Sequence, residues 1–422
     1  MRILIYGINY APELTGIGKY TGEMASWLAD KKHNVSVITA VPYYPEWNIH
    51  DNYKNTFWKK ETIKGVEVYR CPLYVPKKIT SLTRIIHEFS FLISSLPIWL
   101  KLLFAKKYDI VICVSPPFHL GFMALIYSKL KNSKLVIHVQ DLQIDAAKEL
   151  GMIRNPWLLK VMFQLESFLL KSCSAISTIS PGMRRKILLK GFPSSKIMLF
   201  ANWVDEKVVH PVSKENSLRK QFGIELDDKV ILYSGNLGEK QGLELIIETA
   251  ALYKNRSDIK FLIVGSGGGK LKLETMVAEL NVTNVSFLPL QPIEQLSALL
   301  ATADLHLVLQ KKSASDLVMP SKLTGILAAG GCAIVTAFPN TSLYDTVKRN
   351  NLGILIEPES VAALKNGIDL ALTSDLTIYR TNARRYAEDV LTKDKILQSF
   401  EDKLIHLIQT SHVLSQVQTE RA

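Results

Sequence analysis

The sequence predicts an α/β fold: two doubly wound domains, each a parallel sheet wrapped by helices. Short β-branched runs alternate with amphipathic helical stretches from end to end. Most of those runs are continuously apolar, as in strands covered on both faces. The alternation pauses in a polar stretch, His210 to Asn216, and restarts at Val230, which splits the 422 residues into two series of similar length.

In the first series the expected strands lie near residues 2–8, 34–40, 65–70, 108–114, 134–140, 174–179 and 196–200. A helix from about Gly18 to Ala29 places Met24, Trp27 and Leu28 at core-facing spacing. The second series has strands near 229–235, 259–264, 284–288, 304–309, 332–336 and 352–356. A last helix, about 393–409, puts Ile396, Leu397, Phe400, Leu404, Leu407 and Ile408 on one stripe that must pack on something, and the final dozen residues are expected to fray. The domains are therefore expected at 1–205 and 206–390, with 391–422 as a closing helix and tail.

Composition is that of an ordinary globular enzyme, 47% hydrophobic and 21% charged, which excludes a disordered chain and a polytopic membrane protein. Four scattered cysteines, Cys71, Cys113, Cys173 and Cys332, form neither a metal-ligand spacing nor a disulfide framework and suit a reducing cytosol. The opening Met-Arg-Ile-Leu-Ile-Tyr-Gly has the look of a strand entering a turn and lacks the features of a signal peptide.

Net charge is +12, and it is unevenly placed: residues 1–200 carry 27 basic and 13 acidic groups, residues 201–422 carry 24 and 26. Such asymmetry suggests a polyanionic partner, nucleic acid or anionic membrane, reached by the first domain alone. Lys54, Lys59, Lys60, Lys64, Arg70, Lys77, Lys78 and Arg84 crowd residues 54–84 against only Glu61 and Glu67. The apolar segment Ile85 to Ala105 follows, with an uncharged run of 12 residues, Phe89 to Leu100, too short to span a bilayer. Basic residues beside an apolar helix favour a membrane surface over nucleic acid, for which no recognition motif is present.

Four loops carry candidate chemistry. The loop after the first strand brings Gly16, Gly18 and Lys19 to a helix start, a cradle for an anion or sugar. Gly235-Asn236-Leu237-Gly238-Glu239-Lys240-Gln241-Gly242 leaves the first strand of the second domain, at the sheet edge where such folds bind ligands. Gly265-Ser266-Gly267-Gly268-Gly269-Lys270 fails the dinucleotide fingerprint because Lys270 occupies its last glycine, yet suits nucleotide contact. Pro320-Ser321-Lys322-Leu323-Thr324 opens a small-residue helix that can meet phosphate or ribose.

Taken in order, Thr15 to Tyr20, Asn202-Trp203-Val204-Asp205, the loop 235–242 and Pro320 to Gly330 resemble glycosyltransferase family four of the GT-B fold, across nearly the whole chain. Val139 to Ala147 and Ser115-Pro116-Pro117 are similar, more narrowly, to glycosyltransferases of colanic acid and related exopolysaccharide synthesis. The resemblance implies two Rossmann-like domains facing a cleft, acceptor in the first and nucleotide-sugar donor in the second, with the last helix returning to the first domain. It also implies retention of anomeric configuration, no cofactor and no catalytic metal.

Residue by residue, the resemblance gives Gly16, Gly18 and Lys19 to the acceptor and phosphate loop, and Asp141 to orientation of the acceptor hydroxyl. Lys240 and Lys322 would stabilise the departing diphosphate, and Gly235, Asn236, Gly265, Gly267, Ser321, Lys322, Leu323 and Thr324 would hold the donor. The chain departs from the pattern at five positions. The family histidine aligns with Gln140, while His138, two residues earlier, has the character of a core histidine. The usual donor-gripping Arg and Lys align with Asn236 and Gln241. The paired glutamates align with Leu317 and Gly325, with Asp316 one residue off the first. The expected activity is a retaining, metal-independent transfer of a sugar from a nucleoside diphosphate to a lipid-linked oligosaccharide at the inner face of the cytoplasmic membrane. The missing glutamates leave a noncatalytic GT-B partner in a polysaccharide assembly complex as the alternative.

Overall fold

The computed structural model describes residues 1–13, 16–149, 151, 153, 155–312 and 320–419, the last ten as backbone. Two units divide the chain: Met1–Ala201 with Ile396–Ala422, and Asn202–Lys395. Against the expected breaks at 205/206 and 390/391, residues 202–205 and 391–395 belong to the second unit. Val204 bridges Thr392, and its N–H donates to Leu391 O at 2.9 Å, tying the two segments together.

The first unit holds β1 (Arg2–Tyr6), β2 (Asn34–Ala40), β3 (Lys59–Ile63), β4 (Val66–Cys71), β5 (Ile110–Ser115), β6 (Lys134–Val139), β7 (Ala175–Thr178) and β8 (Ile197–Leu199), in the order β3-β4-β2-β1-β5-β6-β7-β8. Its helices are α1 (Gly16–Asp30), α2 (Ser81–Phe104), α3 (Leu120–Lys131), α4 (Gln143–Glu149), α5 (Pro156–Ser172) and α6 (Pro181–Leu189). β1 pairs in parallel with β2 on one side and β5 on the other, Ile3 lying opposite both Val35 and Ile110. Met24, Trp27 and Leu28 of α1 are buried, as their spacing requires.

β3 is the strand the pattern hid. Its Lys-Lys-Glu-Thr-Ile sequence lacks an apolar face, and it pairs antiparallel with β4 at the sheet edge, where lysines discourage further pairing. α2 starts at Ser81, upstream of the apolar run, because Thr80 and Thr83 form a capping box.

The second unit holds β9 (Lys229–Ser234), β10 (Ile259–Val264), β11 (Val285–Leu288), β12 (Leu305–Val308), β13 (Ala333–Thr336) and β14 (Gly353–Ile356), in the order β11-β10-β9-β12-β13-β14 and parallel throughout. Around it lie α7 (Glu244–Ala251), α8 (Lys270–Glu279), α9 (Leu296–Ala301), α10 (Lys322–Ala328), α11 (Ser342–Asn350), α12 (Val361–Thr373) and α13 (Thr377–Val390). Val230 and Leu232 of β9 belong to one core, Ile231 and Tyr233 to the other. A strand that feeds two cores has to be apolar at every position, which explains the continuous runs.

α14 (Lys393–Thr419) crosses from the second unit into the first. There Phe400 stacks on Phe200 with centroids 3.8 Å apart, and Leu397 and Leu404 are buried. The helix continues to Thr419 through most of the tail expected to fray; residues 420–422 lie outside the described residues.

Candidate functional site

In open parallel sheets ligands bind beyond the C-terminal strand ends, where the strand order reverses. That point lies between β1 and β5 in the first unit and between β9 and β12 in the second. Each unit therefore has one address, and the candidate residues fall beside it.

In the second unit the loops after β9 and β10 pack backbone to backbone. A Cβ on Gly265 would overlap Gly235 O, and one on Gly267 would lie 2.6 Å from Leu237 O and 2.7 Å from Asn236 Oδ1. Gly265 and Gly267 hold φ of 155° and 149°, and Gly235 holds 144°, values that only glycine adopts readily. Tyr233 Oη donates to Asn236 O at 2.7 Å and braces the first loop from below.

Lys322, the first residue of α10, reaches into this cradle. Its Nζ lies 3.4 Å from the centre of the Tyr233 ring and 3.1 Å from where a Gly235 side chain would begin. The ammonium is buried and has no hydrogen-bond partner among the described residues, and burial pushes its pKa well below that of an ordinary lysine. Gln241 Oε1 and Ser266 Oγ are likewise buried and unpartnered among the described residues. Polar atoms left unsatisfied in one place mark a spot built for a group that arrives with its own charge.

Asn236, Gly235, Gly265, Gly267 and Lys322 thus come together. Lys240 is half-buried one turn further along the same loop, where its carbonyl accepts the N–H of Lys311 at 2.9 Å. Ser321 is exposed and its hydroxyl makes no cap. Thr324 Oγ1 donates to Ser321 O at 2.8 Å. Leu323 has to be corrected: its side chain belongs to the apolar core, 2% exposed, and its N–H is spent on Pro320 O, so it has nothing to offer a donor. Gly325 lies inside α10, and a side chain there would meet only Leu300 Cδ1, at 3.8 Å. Asp316 and Leu317 lie outside the described residues.

In the first unit Gly16 opens α1 with φ of 57°, and Gly18 sits over a buried carboxylate. That carboxylate is Glu13: a Cβ on Gly18 would lie 2.5 Å from its Oε2. Glu13 Oε1 accepts the N–H groups of Tyr43 and Tyr44 at 3.3 and 3.2 Å, while Oε2 has no partner among the described residues. Burial pushes its pKa up to about 7, against the opposing pull of those two backbone donors. Lys19 directs its Nζ to the neighbouring Tyr20 ring at 5.4 Å.

A rim of contacts runs on from Glu13. The Tyr43 ring meets His87 of α2 at 4.6 Å, and His87 Nδ1 bonds Tyr74 O at 2.6 Å while its Nε2 is buried without a hydrogen-bond partner among the described residues. Glu88, one residue on, accepts from Gln143 Nε2 at 3.3 Å, and Gln143 Oε1 accepts the Phe118 N–H at 3.3 Å. Asp141 lies half-buried in the loop between β6 and Gln143. His138 is a core residue, bonded to Ser177 Oγ at 2.9 Å, and burial holds its pKa down to about 3.

Sequence reasoning missed Glu13, His87, Glu88 and Gln143. One signal was available: Glu88 interrupts an apolar run, and a charge kept there has a partner inside the fold.

The apolar segment is one 24-residue helix, long and apolar enough to cross a membrane by length and composition. One face is nevertheless fastened to the sheet: Ser95 Oγ bonds Tyr6 Oη at 2.8 Å, and Phe91 and Trp99 pack on the same ring. The other face exposes Leu82, Ile85, Ile86, Phe89, Ile93, Leu96, Leu100 and Phe104 as a continuous stripe. Of the eight basic residues expected beside it, Arg70 has to be corrected. It is fully buried, bonded to Glu61 at 2.8 Å and to the carbonyls of Ala40 and Ala11, so it is a structural cation; the other seven are exposed.

Comparison with known proteins covers both units. Residues 15–203 match the family described as glycosyl transferase 4-like domain, and residues 214–390 match glycosyl transferases group 1. The chain is 42% identical over 408 residues to the colanic acid biosynthesis glycosyl transferase WcaI of Escherichia coli strain K12, covering 95% of this chain and 98% of that one. Sucrose-phosphate synthase of Thermosynechococcus elongatus superposes with a TM-score of 0.75 at 17% identity, covering 97% and 99% of the two chains. Anabaena HepE in complex with UDP and glucose superposes with a TM-score of 0.69 at 16% identity, covering 96% and 100%.

Proposed function

The chain belongs to the family-four glycosyltransferases of the GT-B fold, in their WcaI-like group, and on that premise we propose that it moves a sugar from a nucleoside diphosphate to a lipid-linked oligosaccharide in colanic acid-type exopolysaccharide synthesis, with retention of configuration and without a metal. The observation that carries this reading is the buried ammonium of Lys322 in its cradle of glycine loops, without a hydrogen-bond partner among the described residues. A diphosphate supplies the charge which that site lacks, and a charge-assisted hydrogen bond of this kind is worth about 1.5–3 kcal/mol. HepE, similar in fold, is known in complex with UDP, which supports a nucleotide as a ligand of this chain.

In this mechanism the bond between the anomeric carbon and the diphosphate oxygen breaks while the acceptor hydroxyl attacks the same face. The acceptor proton passes to the departing phosphate oxygen. Lys322 holds the charge developing on that oxygen, and the glycine loops let the diphosphate approach the backbone. Asp141 orients the acceptor hydroxyl, and Glu13 holds the loop that borders it.

The apolar stripe of α2 and the exposed lysines near it suit the surface of an anionic leaflet. Each cation there contributes on the order of 1 kcal/mol. A helix fastened to the sheet along one face lies in the plane of that surface.

The test is a panel of nucleotide sugars incubated with the purified protein and a lipid-linked acceptor, followed for nucleotide release and sugar transfer. The expected result is turnover with one donor class. Nucleotide binding with no transfer to any acceptor would instead support a noncatalytic partner, and no binding of any nucleotide would reject the donor site. Lys322→Met should weaken binding of the selected nucleoside diphosphate by about tenfold or more. The same change should raise the melting temperature of the ligand-free protein, because it removes a buried amine that has no hydrogen-bond partner among the described residues.

A further inference from the structure

The second unit has a cavity of about 660 Å³ at the opposite end of its sheet from Lys322. Its floor is the N-terminal edge of two adjacent strands, with Asp304 and His306 at β12 and Gly331 and Cys332 before β13. One wall is α13, which lines it with Arg380, Arg384 and Arg385.

The carboxylates at this cavity are already engaged. Asp304 accepts from Arg219 Nη2 at 2.7 Å, Lys214 Nζ at 3.1 Å and the Val230 N–H at 2.8 Å. Glu388 accepts from Arg384 Nε at 2.7 Å. Arg384 spends its Nη1 on the carbonyls of Ala328 and Val209, at 2.7 and 3.1 Å. Arg380 donates to the carbonyl of Asp304 at 3.4 Å, and its charge also acts on Asp375. Among the described residues neither Arg380 nor Arg385 has a carboxylate within ion-pair distance.

Two guanidinium groups of one helix, neither of them paired with a carboxylate among the described residues, therefore line a cavity of metabolite size. Their planar donor forks match phosphate oxygens, and a phosphate monoester carries a charge close to −2 at neutral pH. The floor adds a neutral imidazole: burial and the nearby Arg380 cation hold His306 down to a pKa of about 4. Leu300, Ala301 and Pro211 supply apolar surface for the rest of a ligand. We propose that this cavity is a second ligand site, taking a small phosphorylated molecule through Arg380 and Arg385. Arg384 holds the last turn of α10, whose first residue is Lys322, so the two ends of one short helix serve the two sites.

The experiment is isothermal titration of the full chain with a hexose 6-phosphate and, separately, with inorganic phosphate, each at saturating UDP or GDP so that the donor site is filled. Saturable binding of the hexose phosphate is expected, weakened about tenfold or more by either Arg380→Gln or Arg385→Gln and unchanged by Lys322→Met. Both arginines are exposed, so thermal melts of the two variants should match the parent. Absence of binding by either probe, binding indifferent to both arginine changes, or binding lost on Lys322→Met or competed by the nucleotide would each overturn the proposal. Inorganic phosphate binding as tightly as the hexose phosphate would overturn the organic part of the ligand.

Discussion

Glu13 shows what a single residue can decide. In sequence it is an unremarked acid in a glycine loop; in the fold it is buried at 4% exposure beneath α1 and holds the chain after β2 through Tyr43 and Tyr44. Its pKa rises from the ordinary 4.5 to about 7, so between those values the folded protein binds more protons than the unfolded chain. Stability from this residue is fully present below pH 4.5 and is lost as pH rises through 7, a loss on the order of 3 kcal/mol. Denaturant unfolding at pH 5 and pH 8 should show that decline in the parent and not in Glu13→Gln, which keeps the acceptor for both N–H groups. Equal pH dependence of the two proteins would show that Glu13 titrates normally. Lys322 is the opposite case. Its position at a helix start was evident from the Pro-Ser-Lys pattern, but the loss of its solvent and of any partner arises only when Tyr233 and two glycine loops close over it.

At the scale of elements, α2 has two faces with different tasks. The face bearing Phe91, Ser95 and Trp99 is bound to β1, and the stripe from Leu82 to Phe104 is exposed. Replacing Ile86, Ile93 and Leu100 together by serine removes apolar surface that is about half or more exposed at each position. The melting temperature should therefore stay nearly constant, since exposed substitutions cost about 0.5 kcal/mol or less each. Flotation with anionic vesicles at low salt should be lost, and in the parent it should fall as salt is raised. Vesicle binding that survives the triple change would remove α2 from the membrane reading. The run of apolar residues announced this helix, and only the fold separated its two faces. The edge strand β3 was not announced, because an edge position tolerates the charged residues that made it resemble a loop.

For the whole molecule, the return of α14 to the first unit completes a core that residues 1–201 leave open. Phe400, 1% exposed, stacks on Phe200, and His33 bonds Glu401 at 2.6 Å. Phe400→Ala should cost the first unit about 3–5 kcal/mol. Limited proteolysis read by mass spectrometry should then show cleavage within residues 1–201 ahead of residues 202–395. Equal susceptibility of the two units, as in the parent, would show that the helix is a dispensable appendage.

The α/β class, the two series of strands, the glycine loops and the charge of the first half could all be read from the sequence, because each depends on local periodicity, on backbone conformations open to glycine, or on a count. Tertiary structure alone decided which polar groups lose water. It buried Arg70 out of the basic patch, put Leu323 into the core, raised the pKa of Glu13 and, among the described residues, left Lys322 without a hydrogen-bond partner and Arg380 and Arg385 without a paired carboxylate. Desolvation depends on what distant segments bring to a side chain, and no local pattern encodes it.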